Sequence, residues 1–110
     1  MRLPHGEKAV VEVGKLRDYC LNPQHHRGRH KARVFARALG LTQADAELLR
    51  DALLIAATEA DATPGERDEY GQRYVLDFPM SGPSGRATVR SNWIILEGET
   101  FPRLTSCYVL

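Results

Sequence analysis

"QRYVLDFPMSGPSGRATVRSNWIIL", residues 72–96, decides the fold, because here the apolar period of the chain drops from about 3.6 to 2. "QRYVLDFPM" (72–80) and "RATVRSNWIIL" (86–96) read as strands, and "FPRLTSCYVL" (101–110) as a third. "SGPSG" (81–85) and "EGE" (97–99) are hairpin-turn links. Connections this short force neighbouring strands to run antiparallel, so the C-terminal part is a β-meander.

Upstream of the meander the helical period holds. "AVVEV" (9–13) is β-branched and reads as a short first strand. "GKLRDYCL" (14–21) places Leu16, Tyr19 and Cys20 at i, i+3 and i+4, a short amphipathic helix that must end before Asn22-Pro23. A second helix is expected over about 28–39, closed by Gly40 in the usual left-handed role. Thr42 to Asp45 has the pattern of a capping box that opens a third helix reaching about Ala60. Its expected buried stripe is Leu48, Leu49, Ala52 and Ile55 or Ala56, and "DATPGERDEYG" (61–71) reads as a polar loop. Helices first and sheet second make an α+β fold: about three N-terminal helices on one face of a three- to four-stranded antiparallel sheet.

With 110 residues the chain is long enough for one domain with one modest core. Its 43% hydrophobic and 26% charged content is that of a globular chain rather than a disordered one. The longest apolar run, "ALLIAA" (52–57), is too short to cross a bilayer, and "MRLPHGEKAV" has no apolar signal core. Cys20 and Cys107 lie 87 residues apart without a CxxC pairing, which suits buried thiols in a reducing compartment. Cytoplasmic residence, with no membrane partner, is the expectation.

The net charge of +1 conceals two opposed blocks. Residues 19–44 carry Arg27, Arg29, Lys31, Arg33 and Arg37 and no acid, whereas residues 45–69 carry eight acids against Arg50 and Arg67. The basic block implies an anionic partner; alternatively the two blocks partly neutralise one another across a helix contact. On a helical wheel of 28–39, Val34, Phe35, Ala38 and Leu39 form the apolar face, and His30, Arg33 and Arg37 a separate stripe flanked by Arg29. Lys31 falls near the middle of the apolar face. Burying an unpaired ammonium is costly, so Lys31 either snorkels past the helix start or is held where its charge is wanted.

His25, His26 and His30 stand within this block. Their H-H-x3-H spacing has no matching Cys, Asp or Glu, so no metal and no cofactor is expected. Histidine is suited to proton transfer near neutral pH, and Arg or Lys to charge-assisted bonds with phosphate oxygens. On the sheet, Ala87, Val89, Ser91, Trp93 and Ile95 share one face, and Thr88, Arg90 and Asn92 the other. The last strand is ambiguous; with Leu104 and Leu110 inward, Arg103 and Thr105 join Arg90 and Asn92 on the open face. That face is either a phosphate platform or an ordinary solvated surface.

"LNPQHHRGRHKARVF" (21–35), "YVLDF" (74–78), "GPSGRATVRSNWII" (82–95) and "PRLTSCYVL" (102–110) resemble a small bacterial domain family of unknown function over nearly the whole chain. Members of that family occur as stand-alone cytoplasmic proteins, and related domains end secreted toxins. More loosely, "RHKARVFARALGL" (29–41) and "LTSCYVL" (104–110) are similar to the barnase–EndoU–colicin–RelE group of ribonuclease toxins. The resemblance implies an endoribonuclease without a metal, acting on RNA. His25 or His30 would take the 2′-hydroxyl proton. Lys31, Arg90 and Arg103 would stabilise the transition state, and Thr105, Ser106 or Tyr108 would position phosphate or donate a proton. His26, Arg27, Arg29, Arg33 and Asn92 would complete the RNA surface. It implies as well a separately encoded neutralising partner with an acidic surface. Two alternatives remain: a non-catalytic RNA- or protein-binding module, or the antitoxin half of such a pair, with the acidic 45–69 block as its working surface.

Overall fold

The computed structural model describes residues 1–110. Helix α1 (Val13–Lys15) continues directly as a π-helical segment, Leu16–Cys20, and is followed by α2 (Arg29–Leu39) and α3 (Ala46–Glu59). Then come β1 (Ala62–Arg67), β2 (Gly71–Gly82), β3 (Gly85–Leu96) and β4 (Arg103–Val109). The four strands form one antiparallel sheet in the order β1-β2-β3-β4. The fold is α+β, with the helices before the sheet, as expected.

The sheet and helices share one core. Leu76, Phe78 and Met80 of β2, Val89 and Trp93 of β3, and Leu104 and Cys107 of β4 pack with Phe35, Leu39, Leu49 and Leu53 of the helices. A single polar side chain, Ser91, lies fully inside. Its hydroxyl donates to the Leu76 carbonyl at 2.7 Å and accepts from Trp93 Nε1 at 2.8 Å, so the indole and the hydroxyl satisfy each other.

Local chemistry sets the element ends. α2 closes on Gly40, whose φ of 73° lies in the left-handed region, while Leu41 N–H bonds back to the Phe35 carbonyl at 3.3 Å. Both halves of the Thr42/Asp45 capping box are present, opening a 3-10 turn, Gln43–Asp45, that runs into α3. Gly82 and Gly85 pair across a two-residue Pro83-Ser84 turn. A Cβ on Gly82 would overlap the Leu39 carbonyl, so this glycine is what lets the hairpin tip sit against the end of α2.

Four details depart from the sequence-based expectations. "AVVEV" is no strand: Val10 makes one isolated parallel bridge to Arg103, and helix begins at Val13. The segment expected as a polar loop contains β1, an edge strand whose Pro64, Gly65 and charged residues mask its pairing. The buried stripe of α3 is Ala46, Leu49, Leu53, Ala56 and Ala57, whereas Leu48 and Ile55 are exposed at 52% and 58%. Lastly, a bulge at Thr105 resolves β4. Trp93 pairs with Leu104 and Asn92 with Ser106, so Leu104 and Cys107 both face the core although three residues apart.

Candidate functional site

The open sheet face is built by register. Counting outward from the Gly82–Gly85 turn sets Asp77 opposite Arg90, Val75 opposite Asn92 and Arg73 opposite Ile94. On the other side Arg90 pairs with Tyr108, Asn92 with Ser106 and Ile94 with Arg103. The open face therefore carries Arg90, Asn92, Arg103, Ser106 and Tyr108. Thr105 takes the bulge position instead, with its hydroxyl donating to the Asn92 carbonyl at 3.0 Å. The expectation that Thr105 shares the face in regular alternation is corrected by that bulge.

Arg90, Asn92 and Arg103 on this face already have side-chain partners. Arg90 donates two parallel hydrogen bonds to Asp77, from Nε and Nη2, both 2.9 Å. These bonds hold the Asp77 carboxyl below its usual range and, with a contribution from the Tyr108 hydroxyl, hold the Arg90 guanidinium above its own. Asn92 Nδ2 donates to Ser106 Oγ at 3.0 Å. Arg103 forms a second two-pronged pair with Glu99 at 2.8 and 2.9 Å and lies 4.9 Å from the Phe101 ring centre. Arg103 and Tyr108 are five positions apart along β4, about 15 Å of strand, so Arg103 belongs to the far end of the sheet.

α2 supplies the other half of the cluster. It buries Ala32, Phe35 and Leu39, which turns Lys31 toward one flank of the helix rather than the centre of its apolar face, and leaves Val34 only half-buried. Lys31 Nζ lies 5.1 Å from the Tyr108 ring centre and 5.9 Å from that of Tyr19. It takes part in none of the chain's ion pairs. The half-buried ammonium is held by two aromatic faces, an arrangement worth roughly 0.5–2 kcal/mol. Lys31 is thus neither sunk in the apolar core nor fully exposed, its ammonium resting beside Tyr19 and Tyr108.

His25 adjoins the same cluster. Its ring meets Tyr19 edge-on, with centroids 4.5 Å apart, and Nδ1 accepts the backbone N–H groups of Arg27 and Gly28, each at 3.0 Å. The imidazole thus substitutes for a capping side chain at the start of α2, where Gly28 offers none. With Nδ1 accepting, a neutral ring carries its proton on Nε2 and presents a donor outward. His26, Arg27, Arg29, His30 and Arg33 are exposed around this helix start, and His30 lies about 100° around α2 from Lys31. The structure thus groups His25, Lys31, Tyr108 and Arg90, with Asn92 and Ser106 next along the sheet. It leaves His30 and Arg33 on the outer side of α2.

Two participants escape a reading of the sequence alone. Tyr19 reads there as part of an amphipathic stripe, and Asp77 lies within a strand without being singled out. Asp77 is recoverable by counting pairs out from a two-residue turn; nothing in the sequence marks Tyr19. A separate open groove of about 640 Å³ lies between α3 and β2, lined by Leu48, Ile55, Phe78, Pro79 and Met80 with the acids Asp51 and Glu59. No helix is long and apolar enough to cross a membrane.

Comparison with known proteins adds three findings. No curated protein matches the chain. Among solved structures, a chain of the "Contact-dependent growth inhibition toxin - immunity protein complex from Klebsiella pneumoniae 342" superposes with a TM-score of 0.69. The match covers 92% of this chain and 99% of that one at 14% identity, a likeness of fold. A family model described as "Domain of unknown function (DUF6883)" matches residues 2–110, and the chain belongs to that family.

Proposed function

We propose that this chain is the toxin half of a toxin–immunity pair and an endoribonuclease of the barnase–EndoU–colicin–RelE type. The observation that carries the reading is the meeting of Lys31 with Tyr108, whose cross-strand neighbour is Arg90. Residues from α2, β3 and β4 put two cations, Lys31 without a carboxylate and Arg90 paired with Asp77, beside one phenol. The fold shared with a chain of a toxin–immunity complex supports a place in such a pair, and with it a protein partner.

In the proposed reaction the scissile phosphate lies against Lys31 and Arg90. The 2′-hydroxyl attacks the adjacent phosphorus, negative charge grows on the non-bridging oxygens, and the bond to the 5′-oxygen breaks, which leaves a 2′,3′-cyclic phosphate and a 5′-hydroxyl end. Lys31 is free of any carboxylate and needs no rearrangement to receive that charge, which is the condition under which a preorganised cation contributes most. Arg90 is held flat and charged by Asp77. His25 Nε2–H donates to a phosphate oxygen, while the Tyr108 hydroxyl gives its proton to the departing 5′-oxygen and regains one, through water, from the 2′-hydroxyl. Asn92 and Ser106 offer hydrogen bonds to the neighbouring nucleotide, and the exposed His26, Arg27, Arg29 and Arg33 carry the incoming strand by its phosphates. In this account the positive charge at the phosphate comes from side chains.

The test is to induce the wild-type chain and Lys31→Ala in cells lacking any neutralising partner and to examine total RNA. Fragmented RNA with the wild type alone supports the proposal; intact RNA and normal growth with a folded wild type oppose it.

A second reading has one observation in its favour. The groove between α3 and β2 exposes Leu48 and Ile55 beside Asp51 and Glu59, in the most acidic block of the chain. An immunity protein that covers a basic toxin would present such a surface. Under that reading the induced chain is harmless and suppresses the toxicity of a second protein.

A further inference from the structure

The arginines of the chain fall into two sets. Arg17, Arg50, Arg67, Arg73, Arg90 and Arg103 each meet a carboxylate in an ion pair. Of the others, all but Arg2 gather around α2: Arg27 just before it, Arg29, Arg33 and Arg37 along it, and Arg86 near its far end. Each of these is exposed and stands outside every ion pair. Arg86 belongs to the group through the β2–β3 hairpin tip. Ser84 N–H donates to the Leu39 carbonyl at 3.2 Å, and a Cβ on Gly85 would stand 3.2 Å from the Ala38 carbonyl oxygen. β3 therefore starts beside the last turn of α2, and Arg86 follows directly.

This arrangement opposes the stability of the helix that carries it. Arg29, Arg33 and Arg37 are spaced four residues apart, one above the next over about 12 Å of helix, and like charges at that spacing repel. No acid lies anywhere in residues 19–44 to relieve them. The track is also continuous with the Lys31–Arg90 edge. Lys31 sits on α2 between Arg29 and Arg33, and Arg86 alternates onto the sheet face of Arg90, about 13 Å of strand away. Its chemistry suits a polyanion better than a folded protein. α2 carries none of the chain's exposed large apolar side chains, whereas the centre of a protein–protein contact is apolar or aromatic. A phosphodiester backbone needs only charge and hydrogen-bond donors.

We propose that Arg33, Arg37 and Arg86 form an exosite for RNA backbone phosphates beyond the reacting dinucleotide, so that the substrate is a polynucleotide passing along α2 toward the hairpin tip. The inference rests on reading the Lys31–Arg90 edge as the cleavage site. It gives Arg37 and Arg86 a contact that the cleavage chemistry does not use. Recognition over this stretch is blind to base sequence, because only phosphates are held.

The experiment has two arms. In the first, Lys31→Met, which leaves RNA uncut under the proposal, is titrated with fluorescein-labelled oligouridylate over a range of salt. The same chain carrying Arg33→Gln, Arg37→Gln and Arg86→Gln is titrated beside it. The slope of log Kd against log salt is expected to lessen by about 2, the loss of three phosphate contacts on a single strand. In the second arm, the three arginine substitutions are placed in the wild type and cleavage of a labelled RNA is followed. There kcat/KM falls about 10-fold or more through KM, with kcat unchanged. All three side chains are exposed, so Tm stays at or slightly above the wild-type value. An unchanged salt slope overturns the proposal. So does a retained slope with loss of binding to polyglutamate, which would make the face a protein-docking surface. A lessened slope with a wild type that cuts no RNA keeps the phosphate track and removes the cleavage reading instead.

Discussion

Lys31 Nζ lies 5.1 Å from the centre of the Tyr108 ring, so a helix-borne ammonium faces a phenol of the last strand at the edge of the sheet. Within this basic segment Lys31 is the half-buried cation, while the arginines around it are exposed. Lys31→Met keeps most of the hydrophobic stem and removes the charge. The expected result is a folded chain whose RNA cleavage falls about 100-fold or more, on the scale of losing one preorganised transition-state donor. Equal loss of Tm and activity would instead mark Lys31 as a packing residue.

Asp77 and Arg90 give the pair a pH signature. Asp77 ionises below its usual range in the fold because Arg90 donates to it. A carboxylate depressed in the folded state contributes stability that is complete above its unfolded pKa, about 4, and is lost as pH falls through the lower folded value. The wild type is therefore expected to exceed Asp77→Asn in stability at neutral pH by under about 1 kcal/mol, since the pair is partly solvated. That margin should shrink below about pH 4. Urea melts of both proteins across the acid range check this; a margin that stays constant with pH would contradict it.

His25 combines a cap with a candidate donor, and two substitutions separate the roles. His25→Ala leaves the Arg27 and Gly28 N–H groups without their acceptor, at a cost of about 1 kcal/mol. His25→Asn restores an acceptor of the right reach for the backbone two and three residues on. The expected outcome is a thermal stability near wild type for the asparagine variant, with cleavage reduced in both. Full activity in His25→Asn would confine His25 to capping.

Inside the core, Ser91→Ala removes the acceptor of Trp93 Nε1 without creating space for water. An unpaired buried donor costs about 1–3 kcal/mol, so the urea midpoint should fall by a corresponding amount with no change in slope. Trp93→Phe in the Ser91→Ala background removes the orphaned donor, so the second substitution should cost less there than in the wild type, and a double-mutant cycle measures the coupling.

The meander, the α2 closure at Gly40 and the capping box were readable from the residues, because each rests on a local rule. A period of 2, a glycine with positive φ and a Thr/Asp spacing act over a few residues. The rest depended on partners distant in sequence. β1 hid because an edge strand gains from the Pro and charges that otherwise mark a loop. Leu48 and Ile55 were misassigned because α3 is apolar nearly all round, so its pattern cannot say which side meets β2. The faces of β4 turned on the bulge at Thr105, which no alternation rule predicts. Of the candidate site, the basic segment and Arg90 were visible from the chain. That Lys31 meets Tyr108 while Arg103 pairs with Glu99 at the other end required the register.

The central claim is a surface that cleaves RNA with side-chain cations at the Lys31–Tyr108–Arg90 edge. Its most direct test is to incubate the purified chain with end-labelled single-stranded RNA in a chelator, beside Lys31→Met of equal thermal stability. The account predicts fragments ending in 2′,3′-cyclic phosphate from the wild type and almost none from the variant. Intact RNA with the folded wild type, or the same fragments from both proteins, would contradict it.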